Sequence, residues 1–563
     1  MTALDLFTPN WVDVWRGHQQ EGVGAVFTRP EVVRLILDLA DYRPEHSRLA
    51  TLRVLEPSCG DGAFLSEIIT RLITSEQIHS ELVDWRDPLL DGAICAADLD
   101  ASSVESARQL ALEMLLTAGC PPERAAELSR QWTRHTDFLL ESWPGRYDLV
   151  VGNPPYVRLE ALPKEVLNHY RRRYLTATDR ADLYVAFFER GLELLSATGA
   201  LAFITANRFT KNQYGAALRR LLAERYHVRH YLNLEHTQPF LTNVSAYPAI
   251  VVIDREQGRP TRAGSLNDCL PETLEAVRRE AIGQAGADSH TVEFATWYPA
   301  GAPWRSTSVA EHDFLELLEA SLPTLEASGR ETRVGIGVAT GADEVFVLQA
   351  KSDEIEENQQ IPLVMAGDIG KSGIEWSGHY LVNPFAASDD GSLVDLAQHP
   401  GLAQYFTLSE ERLRRRHVAK VRERNWFRTI DRVWPSLTST AKLVIPDIQS
   451  GGVVGLDPGN WYPHHNVYWI TSSEWVLSAL QALLRSSYVL RQIRAWSVQM
   501  RGGSVRYQAQ TLRRLRIPAF GTLPPALVSA LSEVATSESQ SAIDAVAAEA
   551  FSLGQNGARV VGV

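Results

Sequence analysis

Cysteine is scarce in this chain: four in 563 residues, Cys59, Cys95, Cys120 and Cys269. None belongs to a CxxC pair and no histidine cluster lies beside them. A disulfide framework and a structural zinc site are therefore not expected, and no metal ligand is assigned. Long apolar runs are missing as well. No stretch approaches the roughly 20 apolar residues of a membrane-spanning helix. The opening segment, MTALDLFTPNWVDVW, has neither a basic n-region nor an apolar core. The expectation is a soluble cytoplasmic protein with no membrane partner. Positive charge is outweighed, 55 Lys and Arg against 68 Asp and Glu, for a net charge of -13. Any role on nucleic acid must then rest on a local basic face rather than on bulk composition.

What is present is globular. A hydrophobic fraction of 45% and a charged fraction of 22% allow real cores, and the length calls for two or three domains. From Arg53 to about Asp254, short apolar runs (TLRVLEP, GAICAADLD, YDLVVGNPP, GALAFITA, AYPAIVVID) alternate with helical stretches such as SSVESARQLALEMLLTAG. This alternation predicts an α/β fold, a mostly parallel sheet with helices on both faces and ligands at the carboxyl ends of its strands. Residues 257–303 turn irregular and read as a connector. From Trp304 to 545, short strand-like pieces with Gly-rich turns predict a second, mixed α+β domain. Residues 546–563 read as a loosely held tail.

The informative residues follow the strands. Val54 to Leu65 (VLEPSCGDGAFL) is a strand, a tight Gly turn and a helix start. Its glycines let the backbone approach a ligand and open the helix N-terminus toward it. Asp98 ends the next strand and is placed to accept two ribose hydroxyls. Asp137-Phe138 pairs an acid with an aromatic, suited to an adenine amine and its ring face, although an ordinary loop would look the same.

The sharpest signal is YDLVVGNPPY, residues 147 to 156. A buried strand ends in a loop stiffened by two prolines, which lack competing N–H groups. The Asn153 amide oxygen and the Pro154 carbonyl can then accept hydrogen bonds from one planar NH2 group, pulling it toward sp3 and localising its lone pair. Tyr156 can stack on the attached ring. No strong base is needed, because the proton leaves after nitrogen becomes cationic. A target amine inside a duplex must be flipped out. Phe240, in HTQPFLTNVSAYP, could supply a second stacking face or simply be a core residue.

At this point the motifs resemble the gamma-class adenine-N6 DNA methyltransferases of restriction–modification systems, the TaqI-like enzymes. FTRPEVV, LEPSCGDGAFL, Asp98, Asp137-Phe138, NPPY and the ADLYVAFFERGLELL helix occur in that family's order. The resemblance implies a Rossmann-like class I methyltransferase domain over residues 1–256 and a target-recognition domain over 304–545. It implies S-adenosyl-L-methionine as cofactor, held by Thr28, Glu56, Pro57, Ser58, Gly60, Asp98, Asp137 and Phe138, with Glu56 by the methionyl amine. Asn153, Pro154, Tyr156 and Phe240 become the catalytic and base-holding residues. The partner is double-stranded DNA, read by the chain as a monomer. A nuclease Asp…Glu-x-Lys constellation is not found, so a cognate endonuclease would be a separate protein.

Two segments are candidates for phosphate binding. RLRRRHVAKVRERNWFR, residues 412 to 428, offers Arg414, Arg415, Arg416 and Lys420; MRGGSVRY, residues 500 to 507, offers Arg501 and Arg506. Arg171, Arg172 and Arg173 follow NPPY and are expected near the flipped nucleotide. The competing readings are methylation of an RNA base or of a protein glutamine amide, since NPPY suits any planar NH2, and a non-catalytic DNA-binding defence subunit. The large second domain and the basic aromatic run favour DNA. The intact cofactor turn, Asp98 and NPPY together favour activity.

Overall fold

A computed structural model describes residues 27–553, apart from 81, 179, 243–246, 285–288, 296, 299–300, 302, 305–308, 389, 422 and 498–503. The chain divides into two compact units, Met1–Val309 and Ala310–Val563.

In the first unit, nine strands share one sheet: β1 (Val54–Glu56), β2 (Ile94–Asp98), β3 (Thr133–His135), β4 (Tyr147–Gly152), β5 (Leu195–Ala206), β6 (His227–Asn233), β7 (Pro248–Asp254), β8 (Thr261–Ser265) and β9 (Thr291–Phe294). Their order is β3-β2-β1-β4-β5-β7-β6-β8-β9. The run from β3 to β5 is parallel, and β7 is antiparallel to both β5 and β6. Successive side chains point to opposite faces. Val54, Val151, Ile204 and Val252 therefore enter one core, while Leu55, Val150, Phe203 and Val251 enter the other. Because both faces are covered, these strands read as unbroken apolar runs rather than as alternating ones. Helices Pro30–Leu39, Ala63–His79 and Ala101–Thr117 supply the first core, and Tyr184–Glu193 and Ala216–Arg225 the second. The chain runs outward from β1 to β3 and returns at β4, so a crevice opens between the carboxyl ends of β1 and β4.

The expected connector is instead part of this unit. Within 257–303, β8 pairs parallel with β6, and β9 antiparallel with β8. Their sequences, TRAGS and TVEF, lack the apolar run of the central strands; β9 is the sheet edge and β8 lies next to it. Trp304, expected to open the second domain, is buried here against Phe209, Tyr231 and Trp297.

The second unit is built from short strands: β10 (Arg333–Ile336), β11 (Val347–Leu348), β12 (Gln360–Val364), β13 (Tyr380–Val382), β14 (Lys442–Pro446), β15 (Ile448–Gln449), β16 (Gly455–Asp457), β17 (Tyr462–Pro463), β18 (Val467–Thr471) and β19 (Val505–Arg506). They make sheets ordered β10-β18-β14-β16 and β11-β13-β12-β17, plus the pair β15-β19. Helices Leu477–Arg485, Ser487–Trp496 and Pro525–Val534 cover the first of these. The expected tail is corrected at its start. Helix Gln540–Leu553 buries Ala547, Ala550 and Phe551, with Phe551 stacked on Tyr488 at 4.7 Å.

Candidate active site

The first wall of the crevice grows from β1. After Glu56 the chain turns through Pro57-Ser58-Cys59-Gly60-Asp61-Gly62 into helix Ala63–His79. Gly62 has φ 86°, a left-handed conformation that favours glycine. The loop is pinned to the end of β2: Cys59 N–H donates to Ala97 O at 2.9 Å, and Gly60 N–H to Asp98 Oδ2 at 3.0 Å. Asp98 Oδ1 accepts from Asp100 N–H at 2.9 Å. Each Asp98 oxygen still has acceptor capacity, since a carboxylate offers about four lone-pair sites. Burial raises the Asp98 pKa.

Glu56 is almost fully buried, and Leu65 N–H donates to its carboxyl group. Its Oε2 has no hydrogen-bond partner among the described residues. Burial first, then the neighbouring Asp98 and Asp61, push its pKa well above the usual carboxylate range. A buried carboxylate in this condition is stabilised by a cationic donor entering the crevice.

The second wall is the end of β4. Gly152 has φ 155°, and Pro57 and Glu56 lie in van der Waals contact beside it. Asn153 follows. Its Nδ2 donates to Thr28 Oγ1 at 3.4 Å, and its backbone carbonyl accepts from Ser58 Oγ at 3.1 Å. Thr28, expected on the cofactor side, thus also holds the Asn153 amide. Pro154 and Pro155 are buried behind it. Tyr156 O–H donates to Ile204 O at 3.5 Å, and burial raises its pKa.

Phe240 is brought in by pairing of two segments. Thr28 bridges Phe240, Arg29 N–H donates to Pro239 O at 3.0 Å, and Leu241 N–H to Phe27 O at 2.9 Å. The Phe240 ring meets Tyr156 edge-on, with centroids 6.4 Å apart and planes at 68°. Two rings sandwiching a base would be parallel and roughly 7 Å apart at ordinary stacking distances. A flipped base therefore enters this position only with rotation of at least one ring.

Asp137 and Phe138 complete the cavity. Asp137 Oδ1 accepts from Leu139 N–H at 2.8 Å, and Oδ2 from Tyr170 O–H at 2.8 Å. Burial outweighs these bonds and raises its pKa to about 6. Phe138 packs on Phe187 at 4.9 Å and Trp143 at 5.7 Å while lining the cavity. Thr28, Glu56, Ser58, Asp98, Asp137 and Asn153 all face this one cavity. Sequence reasoning missed Tyr170 and Phe187, which also line it. Tyr170 follows a run of polar helix residues, and nothing local marks it as the partner of Asp137.

The basic segments fare differently. Residues 412–428 do not form one helix. Helix Glu410–Arg415 ends where Arg416 turns extended, at φ -68° and ψ 147°, and His417–Val421 begins anew. Arg416 is corrected from phosphate ligand to structural clamp. Its guanidinium donates to Thr340 O, Trp426 O and Arg428 O at 2.8–2.9 Å and lies over Phe346. Arg414 pairs with Glu410 at 2.7 Å over the Trp426 ring, and Arg415 pairs with Glu411. Lys420 is exposed. Arg506 is ion-paired with Asp447, and Arg501 lies outside the described residues. Arg171, Arg172 and Arg173 are exposed on helix Lys164–Arg173, with Arg173 donating to Leu140 O at 2.9 Å.

Comparison with known proteins points to restriction–modification methyltransferases. The Eco57I restriction-modification methylase family model matches residues 98–240, from Asp98 through NPPY to Phe240. The chain is 40% identical over 537 residues to the type II methyltransferase M.XhoI of Xanthomonas vasicola, covering 94% of this chain and 97% of that one. It is 41% identical to M.PaeR7I of Pseudomonas aeruginosa over 92% and 89% of the two chains. Among solved structures, the type IIL restriction-modification enzyme MmeI in complex with DNA superposes with a TM-score of 0.56 at 13% identity, over 99% of this chain and 76% of that one.

The sheet order, the crevice and the methyltransferase relatives define a class I methyltransferase that uses S-adenosylmethionine. The residues fit that cofactor: an unpartnered buried Glu56 oxygen for an ammonium group, Asp98 for a diol, and a glycine turn for close backbone approach. The chain belongs to the type II methyltransferases of restriction–modification systems. Among the described residues, no helix is long and apolar enough to cross a membrane.

Proposed function

We propose that this chain methylates the N6 amine of a flipped adenine at a specific site in double-stranded DNA. The observation that carries the reading is the Asn153 position: an amide and a following prolyl carbonyl at the carboxyl end of β4, tied by Ser58 and Thr28 to the cofactor wall. S-adenosylmethionine, when bound, supplies an electrophilic methyl group on a sulfonium. The Asn153 side-chain oxygen and Pro154 carbonyl accept the two amine hydrogens and aim the nitrogen lone pair at that carbon. Held this way, the amine would be placed to take the methyl group as the thioether leaves, and the cationic nitrogen would then lose its proton to water. These acceptors act most strongly as positive charge develops, which favours turnover over ground-state binding.

Adenine is favoured over cytosine by the NPPY tetrad and by its order after the cofactor motifs. The second unit is assigned target recognition, because short strands and loops present many side chains to a duplex. The restriction activity is assigned to a separate endonuclease, and the chain to act in the cytoplasm as a monomer on DNA. The decisive experiment expresses the chain in a host and sequences its DNA with a method that distinguishes N6-methyladenine from N4-methylcytosine. One short motif carrying N6-methyladenine is expected. N4-methylcytosine in that motif, or no modified motif from a soluble cofactor-binding protein, overturns the reading.

A further inference from the structure

The second unit contains a group of side chains that the methyl-transfer reading does not use. His464 follows β17, and Asp343 opens the short helix Asp343–Phe346. Three potential ligand atoms converge: His464 Nε2 lies 3.1 Å from Asp343 Oδ2, His465 Nδ1 lies 3.0 Å from His464 Nε2, and His465 Nδ1 lies 3.9 Å from Asp343 Oδ2. Ligands at about 2.0–2.2 Å from one ion are spaced roughly 3.0–3.4 Å apart, in octahedral or tetrahedral geometry respectively.

The arrangement is fixed from behind. His464 is 3% exposed, and its backbone is held by Val364 O at 3.1 Å and by a bridge to Val338. Its Nδ1 stands 2.8 Å from Asn466 Oδ1. With Nδ1–H donating to that oxygen, a neutral His464 presents the Nε2 lone pair to the cluster. The other oxygen of Asp343 accepts from Thr340 Oγ1, which orients Oδ2 inward. Such outer partners hold metal ligands in place. With His465 in its Nε2–H tautomer, three lone pairs face one point, an arrangement that a cation relieves; in the Nδ1–H tautomer His465 donates to His464 Nε2, and the Asp343 Oδ2 contact with that nitrogen still has no hydrogen between its atoms. Even a His464 imidazolium offers one N–H to two acceptors. On the outer side, Asp343 and His465 are 44% and 45% exposed and border an open depression with Thr340, Gly341 and Ile430.

We infer that Asp343, His464 and His465 bind one divalent transition-metal ion of the zinc, cobalt or nickel class, with its remaining coordination positions open to the depression. Two imidazoles and one carboxylate suit these ions over magnesium or calcium, which prefer oxygen ligands alone. The ion would tie the 340–343 turn to the segment after β17. The inference does not depend on the adenine assignment.

The test uses the full chain after chelator treatment and dialysis. Co2+ is added and followed by visible d–d absorption, and Zn2+ binding is measured by calorimetry. We expect one ion per chain. His465→Ala and Asp343→Asn should each lower affinity at least tenfold, and His46→Ala, an exposed histidine of the first unit, should not. Zn2+ should raise the unfolding temperature of the wild type but not of His465→Ala. Because His465 is half exposed, its replacement keeps the fold even if a His464 variant does not. Absence of saturable Co2+ or Zn2+ binding, or equal binding in both cluster variants, overturns the inference and leaves a shared proton between His464 and Asp343.

Discussion

The first unit concentrates its chemistry at one crevice, while the second spreads short strands over three small sheets. The difference follows from how each sheet is covered. Strands β1, β4, β5 and β7 are buried on both faces, so their ends are rigid and place Glu56, Asn153 and their neighbours reproducibly. The second unit holds together partly through polar clamps. Lys442 and Asp457 are both 0% exposed and 2.7 Å apart, and Lys442 also donates to the carbonyls of Leu437 and Thr440. Arg416 clamps three more carbonyls. A stiff apolar core suits a fixed catalytic geometry, and short polar-clamped elements suit a surface that must present many side chains.

The largest expected effect strikes the second unit. Lys442→Met leaves Asp457 buried and unpaired, and breaking such a pair costs about 3–5 kcal/mol. Calorimetric unfolding should show that loss in the second unit, with cofactor affinity unchanged. A double variant, Lys442→Met with Asp457→Leu, should recover only the part due to the buried charge, because Asp457 also accepts from the Gly459, Asn460 and Trp461 N–H groups. Equal destabilisation of both units would erase the contrast.

Next is Asn153→Ala. Removing one preorganised group that stabilises developing charge lowers turnover about 10²–10³-fold. Single-turnover methylation and calorimetric cofactor titration should show that loss with nearly unchanged cofactor affinity. Near-normal turnover would reduce NPPY to a turn.

Asp98→Ala should weaken S-adenosylmethionine binding about 30-fold, since two ribose hydroxyls each forfeit an acceptor at roughly 1 kcal/mol and the Gly60 amide is left without its partner. Unchanged affinity would move the ribose elsewhere.

Acidity should act in the same direction through Asp137. Its pKa is raised to about 6 by burial, so it takes up a proton as pH falls through 6. A ligand amine that needs the carboxylate as acceptor then loses affinity, by up to tenfold per pH unit below 6, and gains nothing above about 7. The stability contribution has the opposite sign. The folded state holds this proton more tightly than the unfolded chain, so this group stabilises the fold as pH falls from 6 toward 4. Calorimetric titration between pH 5 and 8 reads the first effect. A flat profile would take Asp137 out of cofactor binding.

The smallest effect belongs to the basic segment. Neutralising Arg414, Arg415 and Lys420 should weaken cognate and random duplex binding equally, with the log–log salt slope reduced by roughly 0.9 for each phosphate that is no longer neutralised. Arg416 is left out, because its removal would free three carbonyls. A salt series on both duplexes checks this. An unchanged slope would return Arg414 and Arg415 to their ion pairs with Glu410 and Glu411.

Sequence alone determined the parallel run of the sheet from β3 to β5, the glycine turn after β1 and the NPPY loop. Each is a local matter: a buried strand must be apolar throughout, a left-handed turn favours glycine, and prolines stiffen whatever follows β4. Strands β8 and β9 escaped because strands at and next to a sheet edge need not be apolar throughout, and nothing in the basic segment marks Arg416 as the point where its helix breaks. Only the tertiary structure decided that Thr28, 125 residues from Asn153, holds its amide, that Tyr170 satisfies Asp137, and that Asp343 meets His464 across 121 residues. The physical reason is that a hydrogen bond over such a separation depends on where the intervening chain folds, and no local pattern of residue types encodes that placement.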